Sequence, residues 1–298
     1  MTLYAPVYYQ EFACIANRCR HSCCIGWEID VDPDTHAFYQ TLQGDYAKEI
    51  RDSIDADDQP HFVLTAHDRC PHLDEHGLCR IIKAYTKDAL CEICREHPRF
   101  YHDTPHGKEV GLGLCCEEAC RIVLGSDHFA DMIELEDLEG EPDCQAFDAT
   151  PLRAQVFALL ANASMPYSQK LHEICNMFDV TPAVLSDSEW KSILGGLEYL
   201  DVAHLALFSC YDASLASPAY AEAILTRALA YFVYRHCSPS DDQIDFCENL
   251  GLALFLERLL CSMICAGHDP YDAARILSEE LEYSEDNTDT IRSVFREV

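Results

Sequence analysis

The chain has 298 residues, long for one domain and suited to one large or two modest ones, and 49% of them are hydrophobic, enough to bury a core. Its 52 acids against 21 bases leave a formal charge of −31, which repels phosphate backbones and argues against nucleic acid as a partner. A lysine-bearing protein suits such a surface better.

The first residues, Met1 to Pro6, lack the basic start and apolar core of a signal peptide. The longest apolar stretch, residues 251–267, is interrupted by Glu257 and Arg258 and is too short to span a bilayer. A cytoplasmic setting without membrane attachment is therefore expected. In that reducing compartment the 18 cysteines are ligands, redox groups or small buried hydrophobes, not a disulfide framework.

In chain order, Asp32-Pro33 reads as the start of a helix over 33–54, with Phe38, Tyr39 and Leu42 on one face. Phe62-Val63-Leu64 reads as a short strand, with Val110 to Leu114 as its pairing candidate. An acidic stretch from Ile133 to Asp143 reads as a solvated connector. Beyond it, Thr150-Pro151, Thr181-Pro182, Ser217-Pro218, Ser238-Pro239 and Asp269-Pro270 each place a capping residue before a proline, as helix starts do. The expected fold is mainly α. A loop-rich cysteine/metal domain (1–130) and an acidic connector (131–149) lead into an all-α helical bundle (150–298).

The cysteines carry the chemistry. Eleven fall between Cys14 and Cys120 in close groups; the other seven (Cys144, Cys175, Cys210, Cys237, Cys247, Cys261 and Cys265) are dispersed. The first group is Cys14, Cys19, Cys23 and Cys24, on a segment short enough for its sulfurs to converge. Cys70 and Cys79 flank Asp74 to Gly77, a turn that would bring them together. Cys91 and Cys94 have a two-residue spacing able to chelate one ion, and Cys115, Cys116 and Cys120 form the last group. Together they exceed what one ion needs, which favours a polynuclear cluster or two sites. Thiolate-only ligation selects an iron–sulfur cluster or, alternatively, zinc. Arg69, Arg80, Arg95 and Arg99 would offset the charge of the thiolates. Cys14, Cys19, Cys23, Cys24, Cys70, Cys79 and Cys94 are the leading ligands; Cys91, Cys115, Cys116 and Cys120 come second.

His21, His72, His76, His97, His102 and His106 sit among these groups as further candidate ligands, though each reads more readily as a surface or supporting residue. Cys261 and Cys265 lie one helical turn apart among apolar residues and read as core thiols. Tyr231, Phe232 and Tyr234 beside Arg235 read as an aromatic core stripe, with a pocket lining as the alternative.

Residues 1–121 resemble the flagellin lysine-N-methylase family, whose cysteine region is related to the zinc- or iron-chelating CxxCxxCC proteins. The resemblance rests on Pro6-Val7-Tyr8, Phe12-Ala13-Cys14, Cys19, Cys23-Cys24, Gly26-Trp27 and Ile29-Asp30. It continues through Arg69-Cys70-Pro71, Gly77-Leu78-Cys79-Arg80, Ala89-Leu90-Cys91, Cys94-Arg95 and Pro98-Arg99-Phe100. The chain departs from the family at Ala16, where glycine is common, and at Arg20 and His21, where acids are common. These changes spare the cysteines and bear on partner contacts. The resemblance implies a protein-lysine N-methyltransferase that uses S-adenosylmethionine, acts on flagellin and carries a [4Fe-4S] cluster. The alternative is a non-enzymatic zinc- or iron–sulfur-binding module. No glycine-rich dinucleotide turn and no Cys-x3-Cys-x2-Cys spacing appears, so the residues themselves place neither the methyl donor nor a catalytic base.

Overall fold

The computed structural model describes residues 1–57, 59–143, 145–181 and 184–297, which leaves Cys144 and the Pro182 helix start outside it. The chain packs as two units, one of residues 13–99 and one of 1–12 together with 100–298. Thirteen α-helices and little sheet among the described residues make the fold mainly α.

The chain opens with β1 (Thr2–Pro6) and then enters the cysteine-rich unit. There α1 (Pro33–Thr41) starts where expected: the Asp32 carboxylate accepts the Thr35 N–H at 2.9 Å. The single helix expected over 33–54 is instead two, because Gly44 at φ 98° breaks it before α2 (Asp45–Asp52). Tyr39 is buried and Leu42 partly so, but Phe38 is exposed. The strand β2 (Ile54–Asp55) pairs antiparallel with β3 (His61–Phe62). The Phe62 strand is therefore two residues long, and its partner is β2 rather than Val110 to Leu114. Two short helices follow, α3 (Arg80–Tyr85) and α4 (Glu92–Glu96). The second Asp32 carboxylate oxygen accepts the Glu92 N–H at 2.8 Å, so one side chain caps α1 and ties it to α4. A small core of Ile29, Val31, Tyr39, Ile50, Phe62, Ile81 and Leu90 includes Cys70 and Cys91.

The helical unit holds β4 (Arg99–Thr104) from Phe100 onward, β5 (Gly107–Leu112), α5 (Glu117–Gly125) and β6 (Met132–Asp137), with β1 between β5 and β6 in the order β4-β5-β1-β6. β1 runs parallel to β5 and antiparallel to β6. Gly107, at φ 147°, passes so close to Thr2 that a Cβ would meet the Thr2 carbonyl oxygen at 2.2 Å. Gly111 makes room in the same way for the Phe100 ring.

Residues 1–12 and 100–130, assigned from sequence to the cysteine domain, thus belong with the helices. Part of the expected connector is β6. The physical reason is long-range pairing: β1 contributes strand edges that only β5 and β6 complete, and α5 buries Ala119, Cys120, Ile122, Val123 and Leu124 in the main apolar core.

That core is built by α6 (Thr150–Ala161), α7 (Tyr167–Phe178), α8 (Asp187–Leu194), α9 (Leu205–Phe208), α10 (Glu222–Cys237), α11 (Gln243–Cys265), α12 (Pro270–Leu277) and α13 (Glu285–Ser293). The centre is the pair α10 and α11; the latter is buried without interruption from Asn249 to Ile264, which removes any amphipathic stripe from its sequence. Thr150-Pro151 and Asp269-Pro270 do begin helices, and Asp269 accepts N–H bonds from Tyr271 and Asp272. Ser217-Pro218 instead forms a turn ahead of α10, and Ser238 closes α10 while Asp242 caps α11. Cys261 is a core thiol as expected, whereas Cys265 is exposed at the end of α11. No helix among the described residues is long and apolar enough to cross a membrane.

Candidate metal centre

Backbone pairing assembles the cysteine groups of residues 13–99. The Cys70 N–H donates to the Cys24 carbonyl at 2.9 Å, and the Gly26 N–H to the Asp68 carbonyl at 2.9 Å, zipping the first cysteine loop onto the segment leading to Cys70. From Asp74 to Gly77 the chain turns as expected. The Asp74 carboxylate accepts the His76 and Leu78 N–H groups at 2.9 Å each, and Gly77 takes φ 72°. Leu73 and Cys79 bridge across that turn. Asn17, between Cys14 and Cys19, packs against Gly77. Cys91 immediately precedes α4 and Cys94 lies on it.

The thiols so gathered act on one another. Cys24 is brought down to about 7, first by a hydrogen bond from Cys23 and further by Ser22 and the Arg69 charge, against burial. Within the Cys91–Cys94 pair the Cys94 thiol donates to Cys91, which lowers Cys91 and raises Cys94. Burial pushes Cys70 up to about 12 and also raises Cys79; Cys24 and Cys91 add to both. Cys23 and Cys24 likewise oppose ionisation of Cys94. Five thiols (Cys24, Cys70, Cys79, Cys91 and Cys94) therefore share one electrostatic neighbourhood, with Cys23 at its edge. Among the described residues no three Cys, His, Asp or Glu side chains are closed around a single-ion position. The donor set nevertheless fits a thiolate-bound centre, since a cation would relieve the mutual repulsion that the buried thiols would meet on ionising.

The other predicted ligands are placed differently. Cys14 is exposed and accepts the Ala16 N–H at 3.4 Å; Cys19, half-buried, donates to the His21 carbonyl at 3.2 Å. Cys115, Cys116 and Cys120 belong to the helical unit. There Cys120 is enclosed in the apolar core and donates to the Tyr271 carbonyl at 3.4 Å, while burial pushes Cys115 up to about 12. Of the four arginines, Arg69 acts on Cys24, whereas Arg80 is held by both oxygens of the Glu49 carboxylate.

The histidines separate equally clearly. Both ring nitrogens of His72 are occupied, Nδ1 by Tyr46 at 3.3 Å and Nε2 by Ser53 at 3.0 Å, and the residue is 1% exposed, so it serves the core. His21 is exposed, His76 lies beside Glu75, and His106 meets Asp148 at 2.9 Å. His97 and His102 differ: each buries an Nε2 that has no hydrogen-bond partner. Burial pushes His97 down to about 4 and His102 to about 3.

The helical unit holds a second polar constellation that the sequence did not announce. After α12 a π-helical turn, Ser278–Glu282, directs Glu280 and Glu282 inward, both with fully buried side chains. Glu280 is consumed by the Leu200 and Asp201 N–H groups and by His204. Glu282 accepts the Tyr231 hydroxyl at 3.0 Å and meets His236 Nε2 at 2.7 Å. Burial would raise the Glu282 carboxyl, yet the neighbouring Arg235 and His236 hold it below its ordinary range. Arg235 lies between the Phe100 and Tyr283 rings, 4.9 and 4.7 Å from their centroids, and donates to the Tyr231 hydroxyl at 3.1 Å. Tyr231 is thus both core and polar hub. Its i,i+4 spacing to Arg235 was readable; Glu282 was hidden in the acidic run Glu279-Glu280-Leu281-Glu282.

No family model and no solved structure matches the chain. Curated proteins do. The Lysine-N-methylase of Salmonella typhimurium is 26% identical over 166 residues, covering 51% of this chain and 38% of that protein; that of Salmonella choleraesuis matches with the same figures. The Flagellar biosynthetic protein FliU of Salmonella muenchen is 29% identical over 131 residues, covering 42% of this chain and 78% of that protein. This chain thus covers well under half the length of the lysine-N-methylases it matches. These similarities relate the chain to the flagellin lysine-N-methylase family.

Proposed function

We propose that the chain is an S-adenosylmethionine-dependent protein-lysine N-methyltransferase acting on flagellin, and that it carries a cysteine-ligated [4Fe-4S] cluster. The observation that carries this reading is the similarity to proteins named Lysine-N-methylase and FliU, joined to a buried set of thiols in residues 13–99. Cys24, Cys70, Cys79, Cys91 and Cys94 would hold the cluster from the folded side, with Cys14, Cys19 and Cys23 supplied by the adjoining loop. A [4Fe-4S] cluster takes four thiolates, fewer than this set supplies. In such an enzyme the lysine ammonium must lose a proton before its amine can take the methyl group, and a carboxylate or tyrosine is the natural acceptor. The −31 charge would draw a lysine-bearing partner toward the surface. The test incubates anaerobically purified chain with S-adenosylmethionine and flagellin of the same cell, then reads lysine mass shifts. Methylated lysines support the assignment; unmodified flagellin, with the centre intact and donor present, refutes it in favour of a metal-binding module.

A further inference from the structure

His97 ends the helix that carries Cys94. Its N–H closes the last turn onto the Ile93 carbonyl at 3.1 Å, and it follows Cys94 by three residues, so the two side chains issue from the same side of α4. The Cys94 thiol donates to Cys91, and the charges of Cys24 and Cys23 also act on it. The His97 ring packs edge-on to Trp27, with centroids 6.4 Å apart, and Trp27 lies three residues beyond Cys24 on the same loop. The imidazole is therefore bracketed by the two segments that deliver those thiols. Its Nε2 is buried without a hydrogen-bond partner among the described residues. A buried ring nitrogen left unpaired loses its hydration without compensation, so such an atom calls for a partner. His72, close to Cys70 in the chain, makes the contrast: both of its nitrogens are satisfied by protein.

We propose that His97 Nε2–H donates a hydrogen bond to a sulfur of the bound metal centre, and so sets its electronic properties without ligating the metal. The thiols already outnumber the four that a cluster or a zinc ion requires, so the imidazole is not needed as a ligand. A donor to a sulfur stabilises the more negative, reduced state of a cluster and raises its potential. The proposal rests on the metal-centre reading above, and its test separates the two.

Wild type, His97→Leu and His97→Gln are purified anaerobically as full chains and compared for iron and sulfide content, midpoint potential and the magnetic resonance spectrum of the reduced state. His97→Leu should keep the wild-type metal content but shift to a lower potential with an altered spectrum. His97→Gln, which keeps an N–H donor, should return toward wild type. Should the wild type hold zinc, the same comparison is read from the thiolate-to-metal absorption band after cobalt substitution, where His97→Leu should shift the band and His97→Gln should not. A leucine variant with an unchanged potential or band overturns the proposal. Loss of metal from both variants, regained in His97→Cys, would make His97 a ligand and overturns it as well. A wild-type chain holding no metal would refute the metal-centre reading itself, and this proposal with it.

Discussion

Replacing Glu109 with glutamine strips the anion from an ion pair that ties the sheet to the helices. Glu109 on β5 and Arg153 on α6 meet through two contacts of 2.6 Å, and their side chains are 7% and 4% exposed. Arg153 also donates to the Ser238 hydroxyl, and its guanidinium lies 5.1 Å from the Tyr234 ring centroid. Without the carboxylate a guanidinium stays buried and uncompensated. Breaking such a pair costs about 3 to 5 kcal/mol, a large share of the roughly 5 to 15 kcal/mol that holds a domain folded. Removing both charges, as Glu109→Leu with Arg153→Met, should restore stability to within about 1 kcal/mol of wild type, because two desolvation costs vanish together. Denaturant unfolding followed by far-UV circular dichroism reads all three proteins. A glutamine variant that loses less than about 1 kcal/mol would behave like an exposed pair and refute the claim that β5 is sealed against α6.

A fragment of residues 150–298 should fail to fold cooperatively, since it lacks Glu109 and the apolar residues of β5 and α5; a sharp unfolding transition from that fragment would restore the sequence-based boundary. Acid should destabilise the chain below pH 6.5 through His102. Its folded value falls from 6.5 to about 3, so the unfolded state binds the proton first and stability is lost as pH drops through that window, by at most about 5 kcal/mol. His102→Phe should flatten that limb of the stability–pH curve, and an unchanged limb would contradict the assignment. Single Cys→Ser changes at Cys24, Cys70, Cys79, Cys91 or Cys94 should lower bound metal per chain, while Cys261→Ala should leave it intact; metal analysis of each purified variant decides. Methylation, if driven partly by the −31 charge, should slow as salt rises, because screening at about 0.15 M already confines the attraction to roughly 8 Å. A salt-independent rate removes the recruitment claim alone.

Local chemistry was legible where one residue settles it. Asp32-Pro33 and Asp269-Pro270 start helices because a carboxylate cap and a proline satisfy the first turn without help from elsewhere. The Asp74 to Gly77 turn between Cys70 and Cys79 was readable for the same reason. Ser217-Pro218 and Ser238-Pro239 carry the same signal yet begin no helix, because tertiary packing decides which capped segment continues. The unit boundary was hidden because β1 is completed by strands more than 100 residues away, which no local pattern encodes. The thiol groups stood out in the sequence, but their spacing could not show that Cys120 is spent in the core of the helical unit. Nor does a sequence period mark a π-helical turn, so Glu282 read as one more surface acid.

The central claim is that residues 13–99 gather thiols to hold an iron–sulfur centre. Its most direct test is the iron and acid-labile sulfide content of the full chain purified without oxygen, read beside its visible absorbance. The account predicts about four irons and about four sulfides per chain with a broad thiolate-to-iron band, all diminished when Cys24 and Cys91 are both replaced by serine. One zinc per chain without sulfide, or a full complement of iron and sulfide surviving in that double variant, would contradict it.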